Sequence, residues 1–228
     1  MSDPPVTTGL SNSSGRPYRS PKRAERARRT RHAIREAAAT LFMRDGYAST
    51  TMKAIAREAG VSEKTMYLAY ETKPKLMRHV IQVAVRGDED RASLSQRPEW
   101  RAVFAGPAHE AFARFATINA AVMARTAAII AVGESAAAGD TELAAHRDQA
   151  HQAARDDVRA LVAGLRRAGV LAADVADRDA ADTIYGLAAD ENIYLRLTRE
   201  CGWSEARYAD LIARTLQATL GNDPRTSV

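Results

Sequence analysis

Between Thr51 and Tyr70 the chain reads Thr-Met-Lys-Ala-Ile-Ala-Arg-Glu-Ala-Gly-Val-Ser-Glu-Lys-Thr-Met-Tyr-Leu-Ala-Tyr, the stretch that most restricts what it can fold into. A helix needs a side-chain oxygen for its first orphan amides and often a left-handed residue after its last turn; Thr51 and Gly60 stand at those two places. Ser62 then caps a second short helix. Two helices joined by a tight, glycine-containing turn form a helix-turn-helix, whose second helix can enter the major groove of DNA. The stretch also sets the register of its neighbours. Met66 and Tyr70, four residues apart, face a core, which leaves Glu63, Lys64, Thr65, Tyr67 and Leu68 toward solvent or a partner.

Charge is placed along the chain in a way that supports a polyanion partner. The 228 residues carry a net charge of +5. From Arg16 to Arg31 there are eight basic residues (Arg16, Arg19, Lys22, Arg23, Arg26, Arg28, Arg29, Arg31) against Glu25 alone, a local charge of +7, so the remainder sums to about −2. One basic arm on a nearly neutral body fits a localised phosphate contact driven by counterion release. The abundance of arginine over lysine, 28 of 33 basic residues, is read as coding bias. With Cys201 the only cysteine, an internal disulfide and a cysteine zinc cage are both excluded. No run approaches the ~18 consecutive apolar residues of a membrane span, and the first residues lack a secretory segment, so a cytoplasmic protein that does not contact a membrane is expected.

Residues 1–21, rich in Ser, Thr, Pro and Gly, are expected to be a disordered tail. From Lys22, Ile34, Ala37, Ala38, Leu41 and Phe42 fall on one face of a first helix that ends at Gly46. The second helix runs from about Met52 to Ala59 and turns Ile55, Ala56 and Ala59 inward. Residues 22–71 therefore form a three-helix DNA-binding unit, too small to bury a large core without leaning on the helices C-terminal to it. A linking helix over 72–87 carries Leu76, Met77, Val80 and Ile81, and Gly87-Asp88 closes it. Residues 88–228 show no strand-like alternation. Helices are expected over 98–105, 107–137 with a break near Arg125, 141–168, 178–189, 191–200 and 204–220, which makes the chain all-α.

Phe42, Gly46, the Thr-x-x-x-Ile-Ala-x-x-Ala-Gly-Val-Ser run from Thr51 to Ser62, Thr65-Met-Tyr67, and Lys73 with Leu76 resemble the DNA-binding domain of the TetR family of bacterial transcriptional regulators. The resemblance covers residues 30–80. Tyr70 stands where phenylalanine is common in the family, and Pro74 follows Lys73 where an acidic residue is usual. The resemblance implies that Thr51, Tyr67 and Lys73 hold DNA phosphates, that the helix from Ser62 reads bases, and that the linking helix transmits ligand binding to the head. Chemistry assigns the base-reading edge to Lys64, which suits guanine acceptors, and Thr65; Glu63 either accepts from a cytosine amino group or complements the helix dipole. The arm at Arg16, Arg19, Lys22, Arg23 and Arg26 either grips the DNA or stays solvated.

The last helix carries the stripe Tyr208, Leu211, Ile212, Thr215, Leu216, Thr219 and Leu220, and Ala181, Ile184, Tyr185, Leu187 and Ala188 offer a second apolar face. By resemblance these pair with their copies as a homodimer, which suits a palindromic double-stranded operator; ordinary intrachain packing is the alternative. Polar residues on apolar body faces, His109, Asn119, Arg125, Glu134, Tyr185 and Tyr194, are candidates for a small-molecule effector pocket, as are Glu191, Asn192 and Trp203. His146 and His151, five apart, lie about 140° around a helix and cannot chelate one metal together; Glu142 and His146 have chelating spacing but no further ligands nearby. No phosphate loop, nucleophile elbow or cysteine-nucleophile context is present, so neither enzyme activity, a metal nor a cofactor is expected. The expected function is a DNA-binding regulator, a homodimeric repressor released by a small hydrophobic effector. The alternatives are a regulator without an effector and a low-specificity nucleoid-type protein.

Overall fold

The structure, a computed structural model, describes residues 21–88 and 93–222. Arg16, Arg19 and nearly all of the expected tail lie outside the described residues. The described chain is helical: α1 (Pro21–Ser49), α2 (Met52–Glu58), α3 (Glu63–Ala69), α4 (Lys73–Arg86), the short α5 (Pro98–Arg101), α6 (Ala111–Ala137), α7 (Thr141–Arg167), α8 (Asp177–Ala188), α9 (Glu191–Leu195) and α10 (Glu205–Leu220). No named strand occurs among the described residues; the one β-type contact is an isolated bridge between Leu171 and Gly221.

The boundaries follow from caps. Thr51, Ser62, Thr72, Asp140 and Ser204 each accept a backbone amide in the first turn of the helix they precede. Gly46 interrupts α1 with φ 79° and ψ 164°, a conformation that a residue with a Cβ resists. Gly87 ends α4 in the left-handed region. The break expected near Arg125 is absent, since α6 runs unbroken from Ala111 to Ala137. Arginine propagates a helix well, and this one holds the neighbouring helix through its side chain.

Two hydrophobic clusters organise the chain. The first joins α6, α7, α8 and α10 around Phe112, Phe115, Leu165, Ile184, Tyr208 and Leu216. The second begins in the head with Ile34, Phe42, Ile55, Met66 and Leu76, and continues without interruption into the body through Ile129, Ala137 and Leu143. Each fully buried side chain of this kind contributes roughly 1.5–3 kcal/mol relative to exposure. The head therefore draws stability from the body across the expected boundary at residue 88.

α6 is the packing centre, in contact with α1, α4, α7, α9 and α10. The stretch Ala108–Ala137 is long and apolar enough to cross a membrane by length and composition, and half of its apolar window is buried inside the fold. Part of the α10 stripe packs inside the chain itself. Tyr208, Ile212, Leu216 and Leu220 are buried within the chain's own core, leaving Leu211 and Thr215 half-buried and Thr219 exposed. On α8, Ile184 and Ala188 are likewise buried, while Ala181 and Leu187 remain half-buried.

Candidate nucleic-acid interface and ligand cavity

The turn between α2 and α3 is built from Gly60 at φ 66° and Val61, whose amide donates to the Ala56 carbonyl. Met66 is fully buried and Tyr70 nearly so, which fixes the rotation of α3 and turns Glu63, Lys64, Tyr67 and Leu68 outward. Tyr67 is 51% exposed and Leu68 78%, and they are two of the four exposed large apolar side chains among the described residues. Two such neighbours on one short helix mark a contact surface more than a solvated face. Glu63 lies 3.7 Å from Lys53 Nζ, an exposed pair of small energetic consequence. The Thr65 hydroxyl is half-buried and shares a 2.8 Å hydrogen bond with the Ser62 hydroxyl, so it belongs to the helix cap first and offers a base edge only its remaining capacity. Thr51 is exposed at the start of α2, its oxygen accepting from the Ala54 amide at 3.1 Å.

Lys73 is engaged within the protein. Its ammonium donates to the carbonyls of Tyr47 at 2.9 Å and Thr50 at 3.0 Å and sits 4.1 Å from the centroid of the Tyr47 ring. The end of α1 supplies the acceptors: Thr50 lies past its last residue, and the Tyr47 carbonyl, which accepts from the Thr50 amide at 3.2 Å, has a second lone pair for Lys73. Burial holds its pKa below the usual lysine value, partly offset by Asp140. Two further contacts tie this corner to the start of α7: the Tyr47 hydroxyl donates to Asp140 at 3.3 Å, and the Thr72 hydroxyl, which caps α4, donates to Glu142 at 3.3 Å. Burial, with Asp140 second, pushes the Tyr47 phenol well above its usual range.

On α1, Lys22, Arg23 and Arg26 are exposed. Of the basic residues that follow, Arg28, Arg29, His32 and Arg35 line a recess with Val83, Gly87 and Asp88 at the far end of α4 from the helix-turn-helix. Fourteen helical residues separate the two ends of α4, or roughly 20 Å at 1.5 Å per residue. Arg28 and Arg29 of the basic run accordingly sit, with His32 and Arg35, against the body end of α4.

Between α4, α6, α7 and α8 lies a cavity of about 440 Å³, within the size range of small-molecule sites. Of the six sequence candidates, Asn119, Glu134 and Tyr185 line it; His109, Arg125 and Tyr194 do not. His109 stands in a short turn before α6 with its side chain 75% exposed. Tyr194 is buried edge-on against Tyr208, ring centroids 4.9 Å apart. Arg125 donates from Nε to the Ala84 carbonyl and from Nη2 to the Val85 carbonyl, each at 2.9 Å, and so clamps the C-terminal carbonyls of α4. Both ends of α4 are thus held by cationic side chains, while Ile81, Gln82 and Val85 between them line the cavity.

Residues that sequence reasoning missed come mainly from α7. His151 Nε2 lies 2.9 Å from Glu134 Oε1, and His146 lines the cavity with both ring nitrogens buried and unbonded, 3.6 Å from Glu142. Trp100, tilted on Phe115, adds an aromatic wall. Polar residues on a helix as polar as α7 carry no periodic signal that separates a cavity face from a solvated one. Glu191 also lines the cavity, and burial, with the charges of Glu134 and Asp190, raises its carboxyl above the usual value. A raised acid pKa means that the fold disfavours the charged form, so stability is present at low pH and lost as pH rises through the folded pKa. Glu191→Gln is therefore expected to raise the melting temperature at pH 7, with the gain vanishing below about pH 4; thermal melts across that range check it. No group of three His, Cys, Asp or Glu side chains suited to a metal occurs among the described residues.

Comparison with known proteins bears on both regions. The sequence model described as bacterial regulatory proteins, tetR family, matches residues 34–80, the segment from the middle of α1 to the middle of α4. The HTH-type transcriptional regulator YfiR of Bacillus subtilis (strain 168), itself uncharacterised, is 34% identical over 87 residues. That match spans 38% of this chain and 42% of the length of the relative. Over the whole fold, a TetR-family transcriptional regulator from Mesorhizobium loti MAFF303099 superposes with a TM-score of 0.65 at 19% identity, over 86% of this chain and 99% of that one. SmeT in complex with triclosan gives 0.66 at 17% identity, over 86% and 93%.

Proposed function

We propose, for a chain whose head is a TetR-family DNA-binding domain and which is thereby a transcriptional regulator, that it acts as a homodimeric repressor of a palindromic operator and is released when a small, largely apolar molecule fills the cavity. The observation that carries this reading is the placement of α4. One end follows directly on the helix-turn-helix and is fastened to the end of α1 through Lys73 and to the start of α7 through Thr72, and its middle lines the cavity. A molecule that binds better with α4 in one position than another shifts the head by that difference in affinity. The SmeT complex shows triclosan bound to a protein of similar fold, which supports the cavity as the place to look.

In this reading Lys64 contacts base edges, Tyr67 and Thr51 contact phosphates, and Leu68 packs against the groove. Glu63 and Thr65 are secondary, because one is paired with Lys53 and the other is committed to its cap. Lys22, Arg23 and Arg26 add exposed positive charge. The homodimer would form on what α8 and α10 leave uncovered, including Leu187, Leu211 and Thr215. Repression would take place in the bacterial cytoplasm.

A gel shift on the chain's own promoter region tests the reading. The expected result is a complex with two chains per operator, by light scattering, and far weaker binding to random DNA. Equal affinity for both would reject sequence-specific regulation in favour of a nucleoid-type role. Lys64→Ala is expected to relax preference at one base position, at a cost of about 1–3 kcal/mol on the preferred site. Uniform weakening on every sequence would move Lys64 to the phosphate contacts.

A further inference from the structure

Four side chains of α3 are exposed: Glu63, Lys64, Tyr67 and Leu68. Three of them end in a polar group that suits a phosphate or a base edge, and Glu63 is in addition paired with Lys53. Leu68 has no polar atom. It is the most exposed of the large apolar side chains among the described residues, and it takes no part in either hydrophobic cluster. Met66 and Tyr70, on the opposite side of the helix, hold α3 to the head without it.

What such a side chain can recognise is restricted by the partner. The base edges of the major groove present hydrogen-bond donors and acceptors and a single apolar group, the C5-methyl of thymine. A leucine laid on a polar edge strips it of water and gives no hydrogen bond in return. On the thymine methyl the same contact removes apolar surface from water on both sides.

Spacing adds a register. Lys64 and Leu68 are four residues apart and share one stripe of α3, separated by about 6 Å of helical rise. At about 3.4 Å per base pair that is about two steps along a duplex. The Thr65 hydroxyl beside them is held by the Ser62 hydroxyl at 2.8 Å. Lys64, which suits the O6 and N7 acceptors of guanine, and Leu68 therefore form the reading pair.

We propose that Leu68 is a specificity-determining residue that packs on the methyl group of a thymine, within about two base pairs of the guanine read by Lys64, in each half-site. This rests on the reading of α3 as the helix that enters the groove, and it names the bases that helix selects.

The test uses the full chain and the operator duplex recovered by gel shift from its own promoter region. Each thymine is replaced in turn by deoxyuridine, in both half-sites at once, which removes the methyl group and keeps every hydrogen-bonding edge. The expected result is one position at which affinity falls about fifteenfold, or about fourfold per half-site, the effect of one buried methyl. In Leu68→Ala the same replacement should cost less than about twofold, because the contact is already gone. Leu68→Met, an apolar side chain of similar volume, should keep most of the sensitivity. Both variants alter an exposed position and should melt within about 2 °C of the parent.

Three results would overturn the proposal and leave α3 as the reading helix: no thymine sensitive to loss of its methyl, a sensitivity that survives Leu68→Ala, or a sensitive thymine more than about two base pairs from the position relaxed by Lys64→Ala. Weakening by Leu68→Ala on operator and random DNA alike would place the side chain against the sugar-phosphate wall, and unchanged binding would leave it for a protein partner; each rejects the thymine contact. No preference for the promoter fragment over random DNA would reject the reading of α3 as well.

Discussion

Lys73→Met is expected to lower the melting temperature by roughly 4–8 °C and to weaken operator binding with it. The ammonium makes two charge-assisted hydrogen bonds to main-chain carbonyls at the interrupted end of α1. Bonds of this type contribute about 1.5–3 kcal/mol each when buried, and partial exposure reduces the pair to about 2 kcal/mol in total. For a chain of this size that corresponds to the stated shift. The variant also separates two roles. Loss of a phosphate contact alone would leave the melting temperature unchanged and reduce the salt dependence of DNA binding by about one unit. A melt with no shift would return Lys73 to the DNA surface.

The second large effect is expected at Gly133. A Cβ there would come 2.7 Å from Ile81 Cδ1, so the absence of a side chain is what lets α4 lie against α6 beside the cavity. Gly133→Ala requires only that the flexible end of Ile81 turn, and near-normal DNA binding is expected. Gly133→Leu cannot be accommodated in that way and pushes α4 outward, at an overpacking cost of about 1–3 kcal/mol. If the strain is relieved by moving the head, operator affinity falls by roughly 5–150-fold without any effector. Gel shifts of the two variants check this, and adding Ile81→Ala to Gly133→Leu should restore most of the affinity. Unchanged binding by Gly133→Leu would mean that α4 position does not reach the head.

Much of the architecture is legible in the sequence because it depends on local signals. Thr51, Ser62 and Ser204 mark helix starts by the chemistry of capping, Gly60 and Gly87 mark ends by their left-handed backbone, and Met66 and Tyr70 set the rotation of α3 by spacing alone. What escapes is decided by partners distant in sequence. Lys73 looks like an exposed cation because its acceptors are carbonyls, which leave no trace in side-chain identity. Arg125 looks like a buried charge in need of a ligand for the same reason: Ala84 and Val85 satisfy it through their backbone. The α10 stripe announces that it is buried, and nothing in its period says whether by α6 or by another subunit. His146 and His151 suggest a metal only when taken as a pair; His151 is instead bonded to Glu134, and His146, 3.6 Å from Glu142, has neither ring nitrogen bonded.

The hydrophobic cluster that passes from Phe42 and Leu76 into Ile129 and Leu143 bears on how such a chain can be cut and recombined. Helix ends suggest a seam at Gly87, but a fragment ending there would give water the faces of Val80 and Met77 that α6 and α7 now cover. A chimera that grafts this reading head onto another sensor must carry over the matching surface of α6 and the first turn of α7, including Asp140 and Glu142. The portable unit is a packed interface, and no single covalent cut in the sequence delimits it.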